Sequence, residues 1–246
     1  MNQSKKLIIK DMPKKKIAVL TGAGVSAESG LATFRGSGGL WGEYDPQEVA
    51  SIEGWYRNRE LVLGFYNQLR AQLSKSKPNA AHLAIAGLEK DYEVTVITQN
   101  VDNLHERAGS TRVIHLHGEA TKVRPEDGVY DRTYSEKEVI DVGYEPVCLG
   151  DLAPNGSQLR PHIVFFGEAV PNIEKAIDVV ADADIMLIVG TSLNVYPAAG
   201  LYRYAKNNTP VYLIDPEDVA IYDPKITHIR EVATKGMDEF IRRIKE

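Results

Sequence analysis

Short apolar runs alternate with longer amphipathic segments along most of the chain, which predicts strands connected by helices. The run 17–20, Ile-Ala-Val-Leu, has the length and β-branching typical of a buried parallel strand. Segment 60–73 repeats an apolar residue every four positions, the spacing of one helix face. Further strands are predicted at 94–97, 113–116, 163–166, 185–189 and 211–214, and further helices at 80–88 after the N-cap Asn79, 173–181, 197–206 and 237–244.

Strands that alternate with helices predict an α/β fold, a Rossmann-like doubly wound parallel sheet. Between residues 121 and 161 the periodicity stops, which indicates a smaller inserted module with short strands. Residues 43–58 are mixed and aromatic, typical of short helices or loop. We expect a Rossmann-like domain from 1–35, 78–120 and 167–246, and a small domain from 36–77 and 121–166.

Composition is that of an ordinary globular protein, with 43% hydrophobic and 26% charged residues among 246. The net charge of -5 gives no general case for a nucleic-acid partner. The basic first 16 residues lack the apolar stretch of a signal peptide, and no run reaches transmembrane length. Cys148 is the single cysteine, which excludes an internal disulfide. We expect a cytoplasmic, monomeric protein with no membrane partner.

A glycine-rich turn follows the first predicted strand. Gly22-x-Gly24-x-x-Ala27 between a strand and a helix start is the pattern of a phosphate-binding turn in dinucleotide-binding proteins. The first glycine permits the turn, the second lets the backbone approach a pyrophosphate, and helix-start N–H groups face the anion. An ordinary glycine turn of an α/β protein fits this spacing alone equally well.

The region after this turn departs from an ordinary dehydrogenase. Such enzymes carry a second strand ending in Asp or Glu about 20 residues on. Residues 36–41 instead read Gly-Ser-Gly-Gly-Leu-Trp, which predicts a flexible flap. This departure argues against simple hydride transfer and favours a dinucleotide held for other chemistry.

Polar clusters follow two of the predicted strands. Gln99, Asn100 and Asp102 suit recognition of a ribose and a carboxamide, although a polar turn that caps a helix has the same composition. His115 and His117 share one face of a strand, so a metal pair, a general base and a structural role all remain open.

Taken together, these motifs resemble those of the sirtuins, NAD-dependent protein lysine deacylases. The resemblance extends from about Ile17 to Ile244 and is strongest to the bacterial and mitochondrial deacylase branch. It rests on residues 22–24, 26–30, 34–35, 99–102, 117–118 and 190–192.

The resemblance implies a role for each matched residue. The catalytic residues would be His117, Asn100 and Asp102. NAD would contact Gly22, Ala23, Gly24, Ala27, Glu28, Thr33, Phe34, Arg35, Trp41, Gln99, Asn100, Val101, Asp102, His117, Gly190, Thr191, Ser192, Asp215 and Ala233. The acylated-lysine protein substrate would contact Tyr66, Arg70, Val164, Phe165, Phe166, Gly167, Glu168 and Tyr196. Asp215 stands where the family usually has Asn, and a carboxylate can accept hydrogen bonds from both ribose hydroxyls.

The family mechanism is implied as well. The acyl-lysine carbonyl oxygen attacks the ribose carbon as nicotinamide leaves, with Asn100 and Asp102 holding the nicotinamide end. His117 then deprotonates a ribose hydroxyl, which attacks the imidate. The products are lysine, nicotinamide and acylated ADP-ribose. Residues 167–168 resemble the strip that pairs with a substrate peptide.

Two features depart from the family. Most sirtuins bind structural zinc through two Cys-x-x-Cys pairs on the module, whereas Pro125 stands at the expected first cysteine and Cys148 is alone. A tetrahedral zinc site needs four ligands, so we expect no metal. Packing would hold the module instead, with Val129, Tyr130, Tyr134, Val139, Ile140, Val142 and Tyr144 as its apolar residues.

The second departure concerns the acyl group. In the branch that removes acidic acyl groups, a Tyr and an Arg three residues later receive the carboxylate. Tyr66 matches, but the third residue on is Leu69 and the arginine is Arg70. Arg70 at i+4 either reaches the acyl channel or is a solvated surface cation. The sequence also leaves open a mono-ADP-ribosyltransferase and a non-catalytic NAD or ADP-ribose sensor.

Overall fold

The strands form two separate sheets. The computed structural model describes residues 13–33, 40–126, 136–219 and 223–246, without the side chains of Trp41 and Glu136. The strands in this part of the chain are β1 Lys16–Thr21, β2 Glu93–Thr98, β3 Val113–His115, β4 Gly118–Pro125, β5 Ile140–Asp141, β6 Leu159–Ile163, β7 Ile185–Val189, β8 Val211–Ile214 and β9 Ile226–Ile229. Six of these described strands form a parallel sheet in the order β3-β2-β1-β7-β8-β9, and three form an antiparallel sheet in the order β5-β4-β6.

Helices cover both faces of the parallel sheet. The described α-helices are α1 Gly24–Ala27, α2 Leu40–Glu43, α3 Pro46–Val49, α4 Ile52–Arg57, α5 Arg59–Lys75, α6 Ala80–Gly87, α7 Leu104–Ala108, α8 Ile173–Asp182 and α9 Ala233–Lys245. Alternate residues of β1 supply two cores: Ala18 and Leu20 pack in the core that includes α8, and Ile17 and Val19 in the core that includes α6 and α9. The predicted doubly wound sheet is therefore confirmed.

The antiparallel sheet shares a third core with the helices α2, α4 and α5. Trp55 and Phe65 from these helices pack in one cluster with Val123, Leu159 and Ile163 from the strands. The smaller module and the short helices within 43–58 are thus present as predicted. The proposed limits of the two domains stay a prediction.

Side-chain caps explain several helix starts. Asn79 Oδ1 accepts the N–H groups of Ala81 at 2.9 Å and His82 at 3.4 Å, while His82 Nδ1 accepts the Asn79 N–H at 3.3 Å. Asp45 and Ser51 cap α3 and α4 in the same way. The N-cap expected at Asn79 is confirmed.

Several element boundaries differ from the prediction. The strand expected at 163–166 is β6, Leu159–Ile163, because the next residues leave its sheet: Phe166 N donates to Ala50 O and Phe166 O accepts from Ile52 N. The helix expected at 197–206 is a 3₁₀ helix, Ala198–Tyr204, and Gly200 N donates to Pro197 O. The last helix begins at Ala233 rather than at 237, and α7 and β9 were not predicted. No helix of the described residues is both long and apolar enough to cross a membrane.

Candidate functional site

A cavity of about 680 Å³ lies at the carboxyl ends of β1, β2, β7 and β8 and extends to the third core. It gathers most of the residues that the sequence pattern singled out. Its walls include Gly22, Ala23, Gly24, Ala27, Glu28, Thr33, Gln99, Asn100, Val101, Asp102, His117, Gly190, Thr191, Ser192, Asp215 and Ala233, together with Tyr66, Val164, Phe165, Phe166, Gly167, Glu168 and Tyr196. Phe34, Arg35 and the side chain of Trp41 lie outside the described residues.

The glycine turn at the cavity floor packs against the loop that follows β7. A Cβ on Gly22 would lie 2.7 Å from Thr191 Cβ, and one on Gly24 would lie 2.6 Å from Gly190 Cα. The N–H groups of Gly22 and Gly24 donate to Val189 O and Gly190 O. Gly24 therefore permits close contact between two protein loops, and its N–H is bonded to Gly190 O, while the approach of its backbone to a pyrophosphate stays a prediction. The helix that follows, α1, is only four residues long.

Asn100 and Asp102 are joined through Ser26. Asn100 Nδ2 donates to Ser26 Oγ at 3.2 Å and to Gly22 O at 3.1 Å, and Ser26 Oγ donates to Asp102 Oδ2 at 3.0 Å. His82 Nε2 lies 3.4 Å from the same hydroxyl. Burial raises the pKa of Asp102, although the Leu104 N–H and the Ser26 hydroxyl oppose this shift.

Two buried histidines lie beneath this network. The rings of His82 and His105 are 4.9 Å apart, and His105 Nε2 contacts Thr21 Oγ1 at 3.0 Å. Burial lowers the pKa of His82 to about 4, and burial with the charges of His82 and His115 lowers that of His105 to about 3. Both rings are therefore neutral at pH 7. Sequence reasoning missed them as site residues, because His82 serves as a helix-cap residue and neither position carries a motif of its own.

His117 lies at the boundary between the parallel sheet and the third core. Its Nδ1 is 3.0 Å from Gln99 O. A carbonyl only accepts, so Nδ1 carries the hydrogen and Nε2 keeps a free lone pair. Burial lowers the pKa of His117, and the hydrogen bond to Gln99 opposes this shift only in part. The neutral ring is suited to accept a proton.

His115 holds the neighbouring carbonyl. Its Nδ1 is 3.1 Å from Asn100 O and its Nε2 is 2.8 Å from Glu106 Oε1. The two histidines thus bind successive carbonyls of the segment after β2. Within the described ranges, no group of three or more His, Cys, Asp or Glu residues could hold a metal ion.

Arg70 lies elsewhere than expected. Its side chain is fully buried, outside the walls of the cavity, and donates to Ala120 O at 3.1 Å and to Asn67 Oδ1. The alternative of a solvated surface cation is therefore wrong, and the structure does not place Arg70 on the cavity wall. Burial lowers its pKa to about 10. Helix α5 instead presents Tyr66, Leu69, Gln72 and Leu73 to the cavity.

The segment 164–168 is tied to the module by a buried ion pair. Glu168 accepts hydrogen bonds from Arg160 Nη1 at 2.7 Å and Nη2 at 3.0 Å and from Phe165 N at 2.7 Å. Arg160 is fully buried and stacks over the Phe165 ring, 4.3 Å from its centroid. The carboxylate of Glu168 therefore supports the segment from within. No sequence pattern indicated Arg160, because its partner Glu168 is brought next to it only by the fold of the segment that follows β6.

The far end of the cavity is polar. Gln99 Nε2 donates to Thr191 Oγ1 at 3.0 Å. Asp215 is half-buried, which raises the pKa of its carboxyl, and its Oδ1 accepts the Glu217 N–H at 3.0 Å. The carboxylate of Glu28 accepts from the Thr234 N–H at 3.1 Å and the Thr234 hydroxyl at 2.7 Å.

The fold and this cavity define a class: α/β enzymes that bind a dinucleotide at the carboxyl edge of a parallel sheet and place a neutral histidine beside it. The sequence model of the Sir2 family matches residues 22–197. The chain belongs to the Sir2 family.

Relatives and solved structures agree with this assignment. A protein of Bacteroides thetaiotaomicron named NAD-dependent protein deacylase is 54% identical over 226 residues, 92% of this chain and 96% of that protein. One of the same name from Helicobacter pylori is 48% identical, covering 94% of this chain and 98% of the relative. The fold is similar to a Sir2 homologue mutant in complex with ADP ribose, with a TM-score of 0.83, 36% identity and coverage of 100% and 97%. It is also similar to a Sir2 homolog–NAD complex, with a TM-score of 0.79, 36% identity and coverage of 99% and 94%.

Proposed function

We propose that this chain is an NAD-dependent protein deacylase that binds NAD and an acylated lysine side chain in the one cavity. The acyl group is transferred from lysine to the ADP-ribose part of NAD, and nicotinamide is released. NAD supplies the ribose carbon that loses nicotinamide and the hydroxyl that receives the acyl group. The family match, the names of the relatives and the NAD and ADP-ribose complexes of similar structures support this activity.

The residues present fit the co-substrate. The cavity has the size of a ligand pocket and carries polar groups at its two ends. Thr191, Ser192 and the carboxylate of Asp215 would hold the adenosine half, since hydroxyls and a carboxylate match ribose hydroxyls. Asn100 and Asp102 would hold the nicotinamide half, next to the network through Ser26.

The single observation that carries the proposal is the state of His117. The Gln99 carbonyl fixes the hydrogen on Nδ1, and burial keeps the ring neutral. Nε2 can therefore take a proton from a hydroxyl in the cavity, as a general base requires. A protein that only sensed NAD would not need this arrangement.

The acylated peptide would bind at the module side of the cavity. Phe166 and Tyr196 are exposed cavity residues, 42% and 67% respectively. Residues 164–168 would pair with the peptide backbone, although Phe166 already pairs with Ser51 on one side. Because Leu69 rather than Arg70 lines the cavity, we infer a preference for neutral acyl groups such as acetyl.

Incubation with NAD and acyl-lysine peptides tests the activity. We expect equal amounts of nicotinamide, deacylated peptide and O-acyl-ADP-ribose by mass spectrometry. ADP-ribose attached to the peptide would indicate a mono-ADP-ribosyltransferase, and NAD binding without nicotinamide release would indicate a sensor. Either result would overturn the proposal. We also infer a zinc-free protein, because a single cysteine cannot complete a tetrahedral zinc site. We propose further that it is monomeric and cytoplasmic, and the names of the relatives support acylated proteins as its substrates.

A further inference from the structure

His115 contacts a catalytic candidate without lining the cavity itself. Its side chain is 8% exposed and lies between Glu106 on α7 and the backbone of Asn100. Through its own backbone carbonyl it also accepts a hydrogen bond from Asn172 Nδ2 at 3.0 Å. Two contacts therefore hold the ring, at Nδ1 and Nε2, and a third holds the backbone of the same residue.

The partners of His115 define its protonation. Asn100 O only accepts, so Nδ1 must carry a hydrogen, and the carboxylate of Glu106 favours a second hydrogen on Nε2. Burial by itself lowers the pKa of His115, but the hydrogen bond and charge of Glu106, the charge of Glu119 and the Asn100 carbonyl together raise it. The pKa of Glu106 is lowered, because the hydrogen bond and charge of His115 outweigh its burial. Each partner therefore favours the charged form of the other.

Asn100 is held at four points. Its N–H donates to Thr98 Oγ1 at 3.0 Å, and its Nδ2 donates to Gly22 O and Ser26 Oγ. These three contacts reach β2, the turn after β1, and α1. The fourth, from His115, is the contact that ties the Asn100 peptide to β3.

We propose that His115 is a positioning residue for the reaction: its Nδ1 fixes the Asn100 peptide, and Glu106 holds the ring in place. The proposal rests on the proposed function, since it assigns His115 a role in placing Asn100 against the nicotinamide end of NAD. Small displacements of a positioning group cost about 10- to 100-fold in rate.

Two substitutions separate the two ring nitrogens. In His115→Asn the side-chain amide can replace Nδ1 and still donate to Asn100 O, whereas in His115→Gln it replaces Nε2 and reaches only Glu106. We expect His115→Gln to lower kcat about 10- to 100-fold with little change in KM for NAD. His115→Asn should retain most of kcat. Equal losses in both variants, with thermal unfolding like that of the wild type, would overturn the proposal.

In Glu106→Gln, the pH dependence of kcat tests the proposal, because it would not change if His115 were purely structural. Loss of the proton on Nε2 removes the hydrogen bond from His115 to Glu106, which holds the ring in place. We therefore expect the wild-type kcat to fall as the pH rises through the raised pKa of His115. Glu106→Gln should shift this fall to lower pH, while Glu119→Gln, which loses an ion pair with Lys122, should shift it much less. Groups that face His115 from the packed elements are Glu106, Glu119, Asp102, His105 and His162.

Nitrogen NMR of histidine tests the protonation without any turnover. At a pH equal to the ordinary histidine pKa, more than half of wild-type His115 should carry hydrogens on both ring nitrogens, and Glu106→Gln should lower this fraction. A wild-type His115 without a hydrogen on Nδ1 would overturn the proposal even if the enzyme is active. An inactive wild type would instead overturn the proposed function, whatever the ring's state.

Discussion

At the scale of single residues, the proposed chemistry requires that His117 is neutral and that one of its ring nitrogens can accept a proton. The structure meets both needs through burial and one backbone carbonyl, Gln99 O. Asp102 is also held by few contacts: the Leu104 N–H and the Ser26 hydroxyl each donate to one of its two carboxylate oxygens. These contacts leave little freedom for the catalytic side chains, which is the condition for precise placement of a substrate.

We predict that His117→Ala loses about 10²- to 10⁴-fold in turnover, the range for removal of a general base. NAD should still bind, because the imidazole acts after docking, and calorimetry can check this. His117→Asn is the matched control, since its amide can still donate to Gln99 O but cannot accept a proton as a base. Undiminished turnover in either variant would contradict the assignment of His117.

In the proposed function, the acyl preference depends on which α5 residue faces the cavity. We predict that Leu69→Arg raises the ratio of succinyl to acetyl turnover about 10- to 100-fold, because a hydrogen bond between charged groups contributes roughly 1.5–3 kcal/mol. Arg70→Met should leave the ratio of kcat/KM values unchanged, since Arg70 contacts Ala120 and Asn67 instead. A succinyl preference in the wild type that Arg70→Met abolishes would show that Arg70 reaches the substrate.

At the scale of elements, the segment after β6 joins the module to the cavity wall. Its conformation depends on the buried contacts of Glu168 with Arg160 and with the Phe165 N–H. Gly167 permits the turn between them, because its φ of +93° is unfavourable for other residues. The aromatic faces of Trp55 and Phe165 surround the Arg160 guanidinium.

We predict that Glu168→Gln destabilises the protein by about 3–5 kcal/mol, because it leaves the Arg160 charge buried without its carboxylate. Urea unfolding would measure this change. Glu239→Gln is the surface control: it removes exposed ion pairs with Arg242 and Arg243, which water screens, so the unfolding midpoint should hardly move. Similar midpoints for the two variants would show that the buried pair contributes little.

At the scale of the whole molecule, the cavity joins three hydrophobic cores. The turn after β1 and the loops after β2 and β7, which leave the parallel sheet between its two cores, form one side of the cavity. Tyr66, Leu69 and Phe165 of the third core form the other side. In the described part of the module, Val123, Val147, Ala153 and Leu159 are buried in this third core. Apolar packing and the Arg160–Glu168 pair therefore connect the module to the rest of the protein.

We predict that the purified protein contains no stoichiometric zinc and that a chelator changes neither its melting temperature nor its activity. Where a zinc site holds a module, the free energy of metal binding is part of the free energy of folding, so chelation unfolds it. Elemental analysis and thermal unfolding with and without chelator check this. About one zinc per chain would contradict the prediction.

The sequence by itself determined the doubly wound sheet, the glycine turn and most of the residues found at the cavity, because each depends on local periodicity or on a short motif. Tertiary structure alone decided the places of Arg70, Glu168, His82 and His115. Adjacent positions on α5 differ by about 100° around the axis, so Leu69 faces the cavity while Arg70 is buried against Ala120. The contacts of His115 and Glu168 join segments distant in the chain, and no local pattern encodes such pairings. Apolar periodicity shows that a residue is buried, but only the packed fold shows what it is buried against.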